Sequence, residues 1–171
     1  TDTDAVIEAH RVFPSHPVRQ TPNFYLRRTM AAISPVPSQA RVLYLLEPLR
    51  YTWPNLNQPG EFEALDFFMR NLDALGLQGV ALRLRAHPSD PPGKYDRWLH
   101  DHGNSAQMDN SGSLTEALSW ASWAAGCESM ALTVALAAGR KVVSTLPPGA
   151  PICRLPQAGI LHLREMPGVV A

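Results

Sequence analysis

The stretch RLRAHPSDPPGKYDRW, residues 83 to 98, gathers side chains able to do chemistry at the end of an apolar run. His87 precedes Pro88, and a residue before proline is driven out of helical geometry into an extended one. At the carboxyl end of a buried strand this would turn the imidazole toward the crevice where open α/β sheets bind ligands. Ser89, Asp90, Lys94 and Tyr95 follow; a histidine there can donate to a phosphate or carry a proton near neutral pH, and the plainer alternative is a strand-terminal histidine that caps its own loop. Arg83 and Arg85 alternate along the same strand, so both point to one face. Two arginines on one face of a buried strand need an anion or a carboxylate beside them; the alternative is a salt bridge on a partly exposed face.

A second candidate is AAGCESMALTVALAAG, residues 124 to 139. Gly126-Cys127 leads from a strand into a helix whose first residues include Glu128 and Ser129. Free N–H groups at such a start favour an anion, a serine hydroxyl adds a donor, and Glu128 would suit a ribose hydroxyl. An ordinary capped helix would use the same residue types. The third candidate is the proline-rich STLPPGAPICRLP, where Ser144 and Thr145 could donate to a nucleotide or the loop could merely cover an edge. Trp98, Trp120 and Trp123 read as core. The chain has no G-x-G-x-x-G or Walker loop, no H-E-x-x-H and no G-x-S-x-G, which argues against dehydrogenases, NTPases, zinc peptidases and common hydrolases.

The elements that must position these groups follow from hydrophobic pattern. RVLYLLEPL, from residue 41, is an apolar run typical of a strand buried on both faces. EFEALDFFMRNLDALG then sets Phe62, Leu65, Phe68, Met69, Leu72 and Leu75 at helical spacing, with acids first and Gly76 as a stop. The alternation continues: strand 79–87, helix 94–103, strand 105–109, helix 113–120, strand 121–127, helix 128–139, strand 141–145 and strand 159–163. This predicts one α/β domain, a Rossmann-like, doubly wound, mainly parallel sheet over residues 41–171. Residues 1–40 are proline-rich with one short helix near 24–33, and read as a linker or packing arm. The loop RYTWPNLNQPG joins the first strand to its helix.

Composition adds limits. Among 171 residues, 45% are hydrophobic and 18% charged, an ordinary globular balance. Fifteen basic side chains offset fifteen acidic ones, so no global field recruits nucleic acid or an anionic membrane. No apolar run approaches the ~20 residues of a membrane span and no signal sequence is visible, so a cytoplasmic protein, peripheral to a membrane at most through partners, is expected. Two cysteines, Cys127 and Cys153, support neither a disulfide scaffold nor a cysteine zinc site and read as structural. The sequence opens on Thr1 without an early core pattern, which is compatible with a fragment or processed piece of a longer protein.

Taken in order, LRLRAHPSD and GCESMALTVALAAGRKVVS resemble the two motifs of the carboxyl-terminal, nucleotide-binding half of GT-B glycosyltransferases. The likeness is to bacterial sialyl- and Kdo-type transferases that use CMP-sugars, and more loosely to capsular polysaccharide proteins; it covers roughly residues 41–163. It implies that His87 acts on the departing donor phosphate as the catalytic residue. It further implies a nucleotide and phosphate site of Arg85, Pro88, Glu128, Ser129, Met130 and Ser144, with no metal and no cofactor beyond the nucleotide sugar. The expected partners are a nucleotide sugar, a glycan acceptor and an amino-terminal domain or partner chain carrying the general base, since residues 1–40 are too short to form that half. Two alternatives remain open: a non-catalytic nucleotide-binding or regulatory module, and a nucleotide-sugar epimerase-like enzyme.

Overall fold

The computed structural model describes residues 3–54, 57–103 and 105–170; Asn55 and Leu56, within the expected loop RYTWPNLNQPG, lie outside them. Six strands form one sheet: β1 (Arg41–Leu45), β2 (Ala81–Arg85), β3 (Gln107–Met108), β4 (Trp123–Gly126), β5 (Lys141–Ser144) and β6 (Ile160–His162). Their order is β3-β2-β1-β4-β5-β6 and every pairing is parallel. The order reverses between β1 and β4, which makes the gap beyond their carboxyl ends the switch point where such sheets bind ligands.

Side chains alternate along each strand, so each helical layer meets its own set. On one face Val42, Tyr44, Leu82, Leu84 and Ala125 pack under α3 (Gly60–Arg70) and α4 (Asp96–Asp101), with Leu65, Phe67, Phe68 and Trp98 as the main contributions. On the other, Leu43, Leu45, Ala124, Val142 and Ile160 meet α5 (Leu114–Trp120) and α6 (Met130–Ala137) through Ala117, Leu118, Leu132 and Ala135. Register places Arg83 beside Leu43 and Arg85 beside Leu45, so both arginines lie on the α5 and α6 face at the β2 margin, where both stay partly exposed. Two amino-terminal helices precede the sheet. In α2 (Phe24–Ala31), Leu26, with Ile33 just beyond it, joins the second core, whereas α1 (Thr3–Val12), absent from the sequence expectation, buries no residue and touches the rest through Asp4, which accepts from the Ala158 N–H at 3.1 Å.

Several elements are shorter than their patterns suggest, for local reasons. The helix expected over 61–76 ends at Arg70. Asn71 there donates to Phe67 O and Val170 O and accepts from the Val170 N–H, so it ties the last turn to the carboxyl-terminal segment. The helix expected from 128 starts at Met130, because the three preceding N–H groups turn toward a side chain described below. Beyond it Gly139, with φ of 79°, provides the left-handed residue that lets the chain drop into β5. Trp98 and Trp123 are core as expected; Trp120 is only partly buried, at the open edge of α5.

Candidate functional site

A crevice of about 230 Å³ opens at the switch point, lined by Leu45, Leu46, Arg85, Ala86, His87, Pro88, Leu114, Ser129 and Ala131. The His-Pro turn after β2 and the start of α6 after β4 therefore share one cavity, although about forty residues separate them in sequence. Four of the residues expected from sequence line it: Arg85, His87, Pro88 and Ser129.

His87 is set by its own loop. Its Nδ1 lies 3.2 Å from the Ser89 N–H and 2.8 Å from Ser89 Oγ. A backbone N–H can only donate, so Nδ1 carries the lone pair and the neutral ring holds its proton on Nε2. The loop itself is pinned by Asp90. One oxygen of that carboxylate accepts from the His87 N–H (3.3 Å) and Tyr95 Oη (3.0 Å), and the other from Lys94 Nζ (2.7 Å). Lys94 also meets Glu61 of α3 at 2.6 Å, and Arg50 donates to Ser89 O. Burial pushes the Asp90 carboxyl up, but the Lys94 and Tyr95 hydrogen bonds outweigh it and hold the group below the usual carboxylate range. Burial would likewise lower Lys94, and its two carboxylate partners raise it instead.

Ser129 caps α6: its Oγ accepts from the Ala131 N–H at 3.2 Å, which leaves the hydroxyl proton for an acceptor in the crevice. Arg85 donates to Asp109 (2.6 Å) and to Ser111 O (3.1 Å), so it stands in the wall already paired. That carboxylate is what the paired arginines of the sequence called for.

The start of α6 contains a group that sequence reasoning missed. Glu47, two residues past β1, places Oε1 at 2.8, 2.9 and 3.0 Å from the N–H groups of Cys127, Glu128 and Ser129. The anion seat expected for a phosphate thus holds a carboxylate of the chain itself. Gly126 lets β4 lie close to the end of β1, since a Cβ there would lie 2.8 Å from Leu45 O, whereas its 3.6 Å to Glu47 Oε1 would be ordinary contact. Burial raises Glu47 above the usual carboxylate range against the pull of the three N–H groups. The available signal was an acid directly after a fully buried strand and before a proline, at a carboxyl end.

The remaining expected residues are not brought into the crevice. The Ser144 hydroxyl is buried and donates to Cys127 O at 2.7 Å, and Thr145 is buried against Tyr44 Oη at 2.8 Å, so neither lines the crevice. Glu128 turns to Arg154, accepting from its N–H at 3.2 Å, and does not line the crevice. Met130 contributes the first residue of α6, but its side chain is exposed and outside the cavity lining. The proline-rich loop packs Leu146 and Ala150 on Trp53 and is laced by Arg164 to Pro147 O, Ala150 O and Pro151 O, so it covers the sheet end instead of walling the crevice. Cys127 is buried and Cys153 partly so, both as free thiols. Among the described residues no helix is long and apolar enough to cross a membrane, and no group of three His, Cys, Asp or Glu could hold a metal ion.

No protein-family model matches the chain, and no curated protein matches it. Among solved structures, KpsC of Thermosulfurimonas dismutans, a beta Kdo 2,7 transferase, aligns with a TM-score of 0.47 at 14% identity, covering 88% of this chain and 49% of that one. The chain spans about half the length of that structure.

Proposed function

We propose that this chain is the donor-binding domain of a nucleotide-sugar glycosyltransferase, one half of a GT-B arrangement, acting in surface polysaccharide synthesis with a CMP-linked sugar as donor. The observation that carries the reading is the single crevice that His87 and Ser129 line together at the switch point of the sheet. Cleaving a sugar–phosphate bond builds negative charge on the leaving phosphate, and fixed donors aimed at that charge lower the barrier. His87 would supply Nε2–H and Ser129 its hydroxyl proton, with Arg85 adding field from the wall while Asp109 holds it. The acceptor hydroxyl's base would come from outside this chain, from an amino-terminal half or a partner. The test is a titration of the chain with CMP, CDP and UDP by calorimetry: binding to CMP-containing ligands is expected, and His87→Ala should weaken it about tenfold, the loss of one hydrogen bond to a charged group. Absence of binding to any nucleotide, or unchanged affinity in the variant, overturns the reading.

Glu47 favours a second reading, a nucleotide-binding or regulatory module without catalysis. A carboxylate already seated on the Cys127, Glu128 and Ser129 N–H groups competes with any phosphate for them. A chain that binds nucleotide but gives no transfer from CMP-sugar when an amino-terminal GT-B half is supplied would be this module.

A further inference from the structure

A second cavity, of about 360 Å³, lies at the opposite, amino-terminal end of the sheet, lined by Gln39, Arg41, Ala81, Leu82, Arg83, Ser105, Ala106, Gln107 and Trp120. Two guanidinium groups converge in it on one indole: the Arg83 group is centred 4.1 Å from the Trp120 ring and the Arg41 group 5.8 Å from it. Neither cation has a hydrogen-bonded carboxylate among the described residues. The Arg41 side chain donates only to the neutral amide oxygen of Gln39, at 3.2 and 2.9 Å. Arg83 makes no hydrogen bond there; its nearest carboxylate, Asp109, stands 3.9 Å away and is already engaged by Arg85 at 2.6 Å. Yet the Arg83 side chain is two-thirds covered, at 34% exposure. Asp109 is shared between Arg83 and Arg85, so the two guanidinium groups held over one ring, partly withdrawn from water, have less than one full counter-charge between them, which favours a further anion.

We propose that this cavity binds a carboxylate-bearing sugar. Planar guanidinium groups suit a carboxylate's two oxygens. The side chains of Gln39, Gln107 and Ser105 on the same lining offer both donors and acceptors for hydroxyl groups, and the volume falls within the roughly 300–1,000 Å³ of small-ligand sites. The strand that leads to His87 contributes Arg83 from its middle, and the two cavities share no lining residue, so the site is separate from the crevice and stands whether or not the crevice binds a nucleotide.

The experiment is an amide and indole NMR titration of the full chain with D-glucuronate, with D-glucose and inorganic phosphate run separately. Glucuronate is expected to shift the Trp120 indole N–H and the amides of residues 39–41, 81–83 and 105–107, leaving residues 86–88 and 127–131 unmoved. Arg41→Gln and Arg83→Gln should each weaken it about tenfold, as expected for losing a hydrogen bond to a charged group, with folding checked by circular dichroism. No shifts with glucuronate, or shifts centred on residues 86–88 and 127–131, overturn the proposal. Equal affinity for phosphate or for glucose also overturns it, because the site would then lack selectivity for the carboxylate or for the charge. The mapping on the unaltered chain decides the matter even if either variant fails to fold.

Discussion

Under the proposed function the chemistry turns on two residues, His87 in the crevice and Glu47 on the N–H groups that precede α6. The Ser89 N–H imposes the Nε2–H tautomer on neutral His87, so nitrogen NMR of the imidazole is expected to show an unprotonated Nδ1; a protonated Nδ1 in the neutral ring would remove the Nε2–H donor that the proposed function requires. Glu47 acts in the opposite sense. Its carboxyl is raised in the folded state from an ordinary value of 4.5, so just above that pH the folded chain binds more protons than the unfolded one, and stability declines as pH rises through this window. Under the proposed function a phosphate reaching the N–H groups before α6 competes with the ionised form of the same group, so nucleotide affinity should rise on acidification. Glu47→Gln is expected to bind nucleotide more tightly than the parent at neutral pH and to flatten this pH dependence; weaker binding in the variant, seen by calorimetry, would instead mark Glu47 as a ligand contact. His87 was legible from its proline neighbour and its place after an apolar run. Glu47 was not, because only the pairing of β1 with β4 brings it to the start of α6.

Two elements hold the crevice in shape, the turn after β2 and the amino-terminal end of α6. The turn depends on Asp90, whose pKa is lowered from 3.8 in the folded state. Its stabilisation is therefore present above that unfolded value and is lost as pH falls through the lower folded one. Asp90→Asn should cost about 2 kcal/mol at neutral pH, in the range for hydrogen bonds to charged groups, and urea unfolding of the variant should lose part of the parent's pH dependence below 3.8. For α6, Ser129→Ala should cost about 1 kcal/mol through loss of the cap and also weaken nucleotide binding. Ser129→Asp can still cap the helix, so it should keep stability and yet bind nucleotide worse by charge repulsion; if the two effects travel together in both variants, Ser129 is a cap only. Gly126→Ala tests the close approach at the end of β4 and should destabilise by about 1–3 kcal/mol, the usual cost of overpacking, in thermal unfolding. The strands and helices themselves were readable because period-2 and period-3.6 patterns follow from local geometry. Their ends were not: Arg70 closes α3 because Asn71 bonds to Val170, a residue far along the chain.

For the whole molecule, the proposal is of a donor half that binds by itself and transfers only with a second half. The chain alone should bind CMP yet give no sustained transfer from a CMP-sugar to a glycan acceptor, measured by nucleotide release; multiple turnovers by the isolated chain would show that it carries its own base. The alternation of apolar runs and amphipathic helices in the sequence was enough to determine a parallel, doubly wound sheet and to set His87 at a strand end, since both depend on short-range pattern and on the chirality of crossovers. Tertiary structure alone decided what shares a cavity. It joined His87 to Ser129, and spent Ser144 and Glu128 on Cys127 O and Arg154. It also seated Glu47 on the amides before α6, and left Arg41 and Arg83 facing one indole without a hydrogen-bonded carboxylate. Those outcomes depend on strand order and register, which set neighbours many residues apart, and no local pattern records them.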